Sequence, residues 1–238
     1  MIALIDGDML CYRIGFACNE QPWGIAKKTM TDFVYGIIDD LGDDVTDSEL
    51  YLTGKGNFRN DYAVTAPYKG NRKAPKPVHL QKLREHLEKK FKANVSEGEE
   101  ADDTIAIRAT ELGDEGIIVS LDKDFNQLQG WKYNFVKKER FYVTEEEGLL
   151  NFYKQFLEGD KIDNIIGVKG IGPKKAHKLL EGLTELEMYR KCAELLESEE
   201  RATENGRLLY LRRKPDEIWN PPKEDPEEKE GSEATEGV

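Results

Sequence analysis

The chain has few of the side chains that bind soft metals, and it has no long hydrophobic run. Its 238 residues include only three cysteines and three histidines, and Cys11, Cys18 and Cys192 lack the spacing of a zinc site. A transition-metal site is therefore not expected, and the odd number of cysteines favours a reduced, cytoplasmic setting. No apolar run approaches membrane-spanning length and no secretion signal is recognisable, so we expect no membrane association.

Positive charge is also in deficit, because 35 lysines and arginines stand against 47 acidic residues, which gives a net charge of −12. Such a balance argues at first against nucleic acid as a partner. Acidic and basic residues are segregated, however. Residues 215–238 carry nine acidic side chains and two lysines, whereas residues 69–92 carry nine basic side chains and two glutamates. This separation is typical of a metal-binding cleft that lies beside a phosphate-binding surface.

Four short segments are rich in acidic residues. Like charges that meet in one cleft repel one another and are costly to desolvate unless a cation neutralises them. Carboxylates without cysteine or histidine partners suit Mg²⁺ or Mn²⁺, and two such ions close together are a recurring device for hydrolysing phosphodiesters. The acids of the four segments are Asp6 and Asp8; Glu100, Asp102 and Asp103; Asp122 and Asp124; and Asp160 and Asp163.

Short apolar runs alternate with helical patterns, which indicates an α/β domain with a mainly parallel sheet. Ligands bind beyond the carboxyl ends of the strands in such sheets, and Asp6 and Asp122 directly follow predicted strands. Thr144 and Glu147 form the pattern of a helix capping box. Strands are predicted at 2–5, 49–52, 116–121, 132–136 and 140–143, and helices at 29–41, 78–91, 101–112 and 145–157.

The composition divides the chain into three parts. Residues 1–150 hold the alternating strands and helices of a catalytic domain. Residues 151–213 are helical apart from a glycine-rich turn and form a second unit. Residues 214–238 are rich in proline, glutamate and glycine, and we expect them to be a disordered acidic tail that solvates the chain or binds a partner.

Each acidic segment also has a purely structural explanation. The dipole of a helix favours acids in its first turn, which would account for residues 100–103. The pair at 122–124 would face one side of a continuing strand, or it would form a polar loop. Asp8 can cap a helix, so Asp6, which ends a strand, is the stronger candidate. The placement of similar acids after two separate strands favours the metal interpretation.

The segment GVKGIGPKKAHKLL is more specific. Its glycines allow a tight turn with exposed backbone N–H groups, and the following helix directs its N-terminus the same way, which is a geometry that binds phosphate without reading sequence. It is not a Walker A loop, because no serine or threonine follows the lysine. The alternative is a packing element between two helices. The candidate phosphate-binding residues are Lys169, Gly170, Gly172, Lys174 and Lys175.

The segment YKGNRK groups Tyr68, Lys69 and Arg72 before a basic amphipathic helix. A solvated helix face explains that helix equally well, but it does not explain the grouping before it. Such a trio is suited to gripping a phosphate and to neutralising charge in a transition state.

Five motifs together resemble the 5′-nuclease family, which includes bacteriophage 5′–3′ exonucleases, the 5′-nuclease domain of bacterial DNA polymerase I and flap endonucleases. They occur in the family's order and cover most of residues 1–182. The motifs are LIDGDMLCYR, YKGNRK, EGEEADD, SLDKDFNQL and GDKIDNIIGVKGIGPKKA.

The resemblance implies a PIN-like α/β domain with a helical arch near residues 65–95 and a helix–three-turn–helix element, also called a helix-hairpin-helix. It implies that Tyr68, Lys69 and Arg72 lie near the scissile phosphate, that Arg13 and Lys73 bind DNA together with the hairpin, and that the hairpin also takes a monovalent cation such as K⁺. It also implies two Mg²⁺ or Mn²⁺ ions, the first held by Asp6, Glu100, Asp102 and Asp103 and the second by Asp122, Asp124, Asp160 and Asp163.

The implied activity is hydrolysis of DNA, or of RNA in RNA–DNA hybrids, from or near a 5′ end, by a monomer in the cytoplasm (host cytoplasm for a phage protein) during DNA replication. One departure concerns Thr53 and Gly54, which stand where the family usually has another aspartate, and Asp8 is the candidate to compensate. Two other interpretations stay open. The DGDML motif is compatible with a haloacid-dehalogenase-type phosphatase, and the hairpin is compatible with a non-catalytic DNA-structure-binding protein.

Overall fold

The first part of the fold is a six-stranded sheet, seen in a computed structural model that describes residues 1–223. The part of the expected acidic tail at 224–238 lies outside the described residues. The strand order is β3-β2-β1-β4-β5-β6, with every pair parallel except the last. All five predicted strands are present. The bounds are β1 (Ile2–Asp6), β2 (Asp47–Thr53), β3 (Asn94–Ser96), β4 (Gly116–Val119), β5 (Gly130–Asn134) and β6 (Glu139–Val143).

Helices cover both faces of this sheet, because alternate residues of each strand point to opposite sides. Ala3 and Ile5 of β1 pack in one core beneath the first, second and fourth helices, whereas Leu4 packs in the other core beneath the fifth. The capping box at Thr144 is confirmed, since Thr144 Oγ1 accepts from Glu147 N at 3.1 Å. The bounds are α1 (Gly7–Ala17), α2 (Trp23–Leu41), α3 (Arg59–Tyr62), α4 (Leu80–Phe91), α5 (Ala101–Leu112) and α6 (Glu145–Glu158).

A helical part follows, and it shares α6 with the sheet domain, so the boundary expected at residue 150 falls inside a helix. Its aromatic core includes Phe152, Phe156 and Tyr189. The glycine-rich turn and the helix that follows it are present as predicted, but the short pair of strands before the turn was not predicted. The bounds are β7 (Gly159–Asp160), β8 (Ile165–Ile166), α7 (Pro173–Leu180), α8 (Glu185–Leu196) and α9 (Glu199–Leu209).

The chain after α9 corrects the expected start of the tail. Trp219 is only 8% exposed and packs in the aromatic core of the helical part. Leu211 packs against the sheet domain, in the same core as Leu4. Residues 214–223 therefore belong to the fold, although the sequence placed them in a disordered tail.

The region expected to form the arch is short. Residues 63–79 contain turns and no helix. The basic helix that follows, α4, packs on α1 and α2 with Leu83 and Leu87 buried. Helix α4 is thus packed into the sheet domain. Of the region expected to form the arch, only the non-helical connection before α4 remains. Among residues 1–223, no helix is both long and apolar enough to cross a membrane.

Candidate active site

The four acidic segments meet at the carboxyl edge of the sheet. Asp6 is the last residue of β1, and Asp122 follows the end of β4, the neighbouring strand. The charges of Asp8 and Asp122 both act on Asp6, and those of Asp6 and Asp122 act on Asp102. Asp124 in turn responds to Asp122, Asp160 and Asp163. One electrostatically coupled group of acids therefore contains members of all four segments.

Asp6, and not Asp8, caps the helix that follows β1. Asp6 Oδ1 accepts from Met9 N at 2.9 Å, which meets an unpaired backbone donor at the start of α1. Its other oxygen accepts from Ser120 Oγ at 2.7 Å. Burial raises the pKa of Asp6 to about 7, against the effect of these hydrogen bonds and with the help of neighbouring acids. A cation would therefore stabilise its charged form strongly.

Asp8, the candidate to compensate for the acid expected at Thr53, is bonded to Thr53 itself and to Arg84. Its Oδ2 accepts from Thr53 N at 2.7 Å, and its Oδ1 pairs with Arg84 of α4, which also donates to Thr53 O. Thr53 Oγ1 accepts from Ala101 N at 2.9 Å. The threonine thus performs a structural task, joining the end of β2 to the start of α5.

Asp102 is the most suitable single metal ligand in the group. Within the described chain it has no hydrogen-bond partner and no ion pair. Burial raises its pKa well above the usual range, and the charges of Asp6, Asp122 and Glu100 raise it further. A desolvated carboxylate without a partner is costly unless a cation is bound.

Asp103 does not fit the expected metal site, and its assignment as a ligand is corrected. Arg59 donates to its two oxygens at 2.5 and 2.9 Å, while Glu100 N and Arg212 N donate at 3.2 Å each. These four bonds use the four lone-pair positions of a carboxylate. Asp103 therefore holds the fold together beneath the site.

Asp122 and Asp124 lie together for a reason other than the one expected. Strand β4 ends at Val119, and residues 123–127 form a 3₁₀ turn that Asp122 caps by accepting from Asp124 N at 2.9 Å. Gln155 of α6 donates to Asp124 at 2.6 Å. Burial and then the charge of Asp122 raise the pKa of Asp124 to about 7.

Asp160 and Asp163 stand on the turn between β7 and β8. Asp160 Oδ1 accepts from the backbone N–H groups of Ile162 and Asp163, at 2.6 and 3.1 Å, which fixes its orientation. Asp163 faces the YKGNRK segment and accepts from Arg72 at 2.7 Å. Asp160 therefore contributes its charge to the other acids, whereas Asp163 is paired with the basic YKGNRK segment.

Tyr68, Lys69 and Arg72 all reach the acidic group. The Tyr68 hydroxyl lies 2.7 Å from one oxygen of Glu100 and 2.7 Å from one oxygen of Asp163. Lys69 forms a close ion pair with Glu100 and lies 3.6 Å from Asp163. Burial raises the pKa of Glu100, but the charges of Lys69 and Arg59 outweigh it, and the net pKa is lowered.

The donor set fits divalent oxygen-loving ions, although the present side-chain positions do not form a finished ligand shell. Among residues 1–223, no three acidic, histidine or cysteine side chains converge closely enough to hold one ion. The fit comes from the chemistry of the donors, since the group is made only of carboxylates, and Asp6 and Asp160 are buried without a cationic partner among residues 1–223. The acids that remain candidates are Asp6, Glu100, Asp102, Asp122, Asp124, Asp160 and Asp163.

The glycine hairpin lies at the surface, beside the acidic group. Gly170 has φ +80°, a conformation that favours glycine, while Gly172 has an ordinary φ of −108° and precedes α7. Ile171 between them is buried and anchors the turn. Lys169, Lys174 and Lys175 are exposed. An open groove of about 950 Å³ runs from this hairpin to Asp160 and Asn71.

Two predicted DNA-binding residues do not join the acidic group. Arg13 is exposed on α1, and Lys73 is exposed just after Arg72. The residues that the sequence did not reveal are Arg59, Arg84 and Gln155, whose partners lie from 31 to 151 positions away in the chain. No local pattern marks such long-range pairs.

Comparisons with known proteins agree with this geometry. Residues 1–154 match the family model described as "5'-3' exonuclease, N-terminal resolvase-like domain". Flap endonuclease Xni of Shewanella piezotolerans is 34% identical over 198 residues, which cover 75% of each chain. DNA polymerase I of Chloroflexus aurantiacus is 30% identical over 226 residues, covering 79% of this chain. The chain spans only 23% of that polymerase's length.

Solved structures show the same fold. The T5 D15 protein co-crystallised with metal ions has a TM-score of 0.67 at 18% identity, over 87% of this chain and 88% of that one. The catalytic core of Rad2 in complex with DNA substrate has a TM-score of 0.53 at 17% identity, over 79% of this chain and 62% of that one. With its mainly parallel sheet and its family match over residues 1–154, the chain belongs to the 5′–3′ exonuclease family.

Proposed function

We propose that the chain is a divalent-metal-dependent 5′ nuclease that hydrolyses phosphodiesters of DNA with free 5′ ends or 5′ flaps. One observation carries this proposal: buried and half-buried carboxylates from four segments form a single interacting group, and Lys69 and Arg72 form ion pairs with two of its members. Neither a phosphatase active site nor a passive DNA-binding surface needs that many desolvated acids.

Mg²⁺ or Mn²⁺ would be held by two sets of residues. Asp6, Glu100 and Asp102 would hold one ion. The other ion would be held by a second set of four acids, two at the 3₁₀ turn after β4 and two at the turn between β7 and β8. When bound, such ions activate water and stabilise the leaving oxygen. The second set is Asp122, Asp124, Asp160 and Asp163.

The chain's own residues would place the substrate. Lys69 and Arg72 would neutralise charge that develops on the phosphate, and Tyr68 would orient Glu100 and Asp163. The exposed hairpin and its lysines would hold the backbone of the duplex, with a monovalent cation such as K⁺ at the turn. We also propose that the protein acts as a monomer in DNA replication and accepts RNA–DNA hybrids.

The test uses a labelled 5′-flap DNA with and without Mg²⁺. Replacing both Asp122 and Asp124 by Asn should abolish cleavage and leave DNA binding largely intact. The matched control is the D39N/D43N pair, which removes two exposed acids, one in the last turn of α2 and one just after that helix. Full cleavage by D122N/D124N, or in excess EDTA, would refute the mechanism. Release of terminal phosphate alone indicates the phosphatase, and a bound but uncut DNA indicates the non-catalytic protein.

A further inference from the structure

We infer that Lys69 and Arg72 are built-in counter-ions of Glu100 and Asp163, and that they release these carboxylates when divalent ions bind. The inference rests on the proposed function and concerns how the same site changes between its metal-free and metal-bound forms. It predicts that removal of Lys69 tightens metal binding, although the lysine is needed for cleavage.

The first step is that both oxygens of these two acids are already in use. On Glu100, Lys69 contacts Oε1, while the Tyr68 hydroxyl lies 2.7 Å from Oε2. On Asp163, Arg72 Nη2 donates to Oδ1 at 2.7 Å, and the same hydroxyl lies 2.7 Å from Oδ2. An ion that binds either carboxylate therefore competes with a cation of the protein for the charge of that carboxylate.

The second step is that the other candidate ligands have no such partner. Within residues 1–223, none of them forms an ion pair with a lysine or arginine, although all act on one another through their charges; they are Asp6, Asp102, Asp122, Asp124 and Asp160. Their bonds come from neutral groups, such as Ser120 on Asp6 and Gln155 on Asp124. The pairing is therefore selective for Glu100 and Asp163, which belong to different ion sets.

The third step is that the two cations can leave without moving the backbone that carries them. Lys69 N donates to Asp163 O at 2.9 Å, Asn164 Nδ2 donates to Pro67 O at 2.9 Å, and Asn71 Nδ2 donates to Lys161 O at 2.6 Å. These bonds fix the segment independently of the side-chain charges. The Lys69 and Arg72 side chains are 22% and 48% exposed, so each can swing toward solvent.

Arg59 shows the contrast within the same site. It lies 3.7 Å from Glu100, but its side chain is only 2% exposed and is bound to Asp103 and to two backbone carbonyls. It cannot leave when an ion arrives. Displacement is therefore confined to Lys69 and Arg72, whose charges then become available to the phosphate of the substrate.

The experiment measures Mn²⁺ binding without DNA, by electron paramagnetic resonance of the free ion. We expect K69A to bind Mn²⁺ roughly tenfold more tightly than the wild type, because the ion no longer competes with an ammonium group. R72A should show a smaller change, of about threefold, since Arg72 is more exposed. Cleavage of the 5′-flap DNA should fall in both variants.

K123A is the matched control. Lys123 lies between Asp122 and Asp124 and acts on both through space, but it is exposed and forms no ion pair with them. Its removal therefore reports the general effect of losing one positive charge near the group. Tightening in K69A that is no larger than in K123A, or weaker binding in K69A, overturns the inference.

A second measurement uses the wild-type protein and does not depend on the folding of a variant. Pulsed acetylation of lysines, read by mass spectrometry, should label Lys69 several-fold faster when Mg²⁺ is saturating than in EDTA, relative to Lys76. Equal labelling in both conditions contradicts release. If the wild type binds no Mn²⁺ at all, the proposed function fails as well, whereas normal binding with an unchanged K69A refutes only this inference.

Discussion

Arg59 donates to both carboxylate oxygens of Asp103, at 2.5 and 2.9 Å, across 44 positions of the sequence. The same guanidinium donates to the carbonyls of Leu208 and Tyr210, each at 2.8 Å. Because Asp103 lies in the first turn of α5, this pair ties the acidic group to the segment that leaves α9. Asp103, which was expected to bind a metal ion, therefore stabilises the fold beneath the site instead.

Replacing Asp103 by Asn should therefore destabilise the protein. Buried Arg59 would keep its charge but lose the carboxylate that takes two of its hydrogen bonds, leaving only Glu100 at 3.7 Å, and breaking such a pair typically costs about 3–5 kcal/mol. Urea unfolding in EDTA measures the change in the free energy of unfolding. D102N is the control, because Asp102 is also an aspartate and is next to Asp103 in the chain, but within residues 1–223 it has no hydrogen bond or ion pair to lose. D102N should unfold no more easily than the wild type and should bind Mn²⁺ more weakly; a large loss of stability in D102N would contradict this assignment.

The stability of the metal-free protein should fall as the pH rises from 5 to 7.5. Burial raises the pKa values of Asp6 and Asp124 to about 7, from 3.8 in an exposed carboxyl. In this window the folded protein binds protons that the unfolded chain has already lost, so the free energy of unfolding decreases with pH. The stabilisation is complete below about pH 4 and is lost as pH passes through about 7.

The measurement is urea unfolding at several pH values in EDTA, where the expected loss is on the order of 2–4 kcal/mol. His86 opposes it weakly, because burial lowers its pKa and its effect on stability has the opposite sign. The D6N/D124N variant should therefore show a shallower fall, because burial still raises the pKa values of Asp102 and Asp122, and saturating Mg²⁺ should remove the fall in the wild type. A wild-type profile that rises with pH in EDTA would show that these acids are not desolvated.

Local patterns predicted the fold well. The apolar runs at 2–5 and 116–121 became adjacent parallel strands, which placed Asp6 and Asp122 at one edge. The capping box at Thr144 marked the start of α6 to the residue. Each of these features is encoded within a few residues, by apolar periodicity or by a side chain that meets its own helix end.

The errors arose where partners are distant in sequence. Nothing near Asp103 indicates that Arg59 and Arg212 will supply three of its four hydrogen bonds, and nothing near Thr53 indicates a bond to Asp8. α1 was not predicted as a helix, since it begins at a glycine and its start is set by Asp6, which also ends a strand. Trp219 was placed in the tail because its surroundings in sequence are polar, whereas its partners are rings of α6 and α8.

Truncation tests the corrected end of the fold. A chain that ends after residue 223 should unfold at the same urea concentration as the full protein, since it keeps Trp219 against Phe152 and Phe156, at 5.7 and 5.6 Å between ring centroids. A chain that ends after residue 213 loses this ring and should be less stable by about 3 kcal/mol or more. W219A in the full chain should lose a similar amount. Equal stability of the two truncated chains would mean that residues 214–223 do not stabilise the fold and belong to the tail.

Two glycines of the glycine hairpin, Gly170 and Gly172, allow effects on DNA binding to be distinguished from effects on folding. Gly172 has φ −108°, and a methyl group added there would meet no atom within 4 Å, so G172A should cost less than about 1 kcal/mol, mainly from poorer capping of α7. The same methyl group would lie where a phosphate must approach the backbone N–H groups, so duplex binding should weaken by roughly tenfold.

G170A is the comparison, because φ +80° is strained for alanine and the variant should lose both stability and DNA binding. The K169A/K174A/K175A variant should instead keep its stability and lower the slope of log binding constant against log salt by about two to three. Gel-shift titrations at several salt concentrations, with urea unfolding of each variant, measure both quantities. Unchanged duplex binding by G172A would mean that the backbone at Gly172 is not approached by phosphate, and that the hairpin serves only to pack α6 against α7.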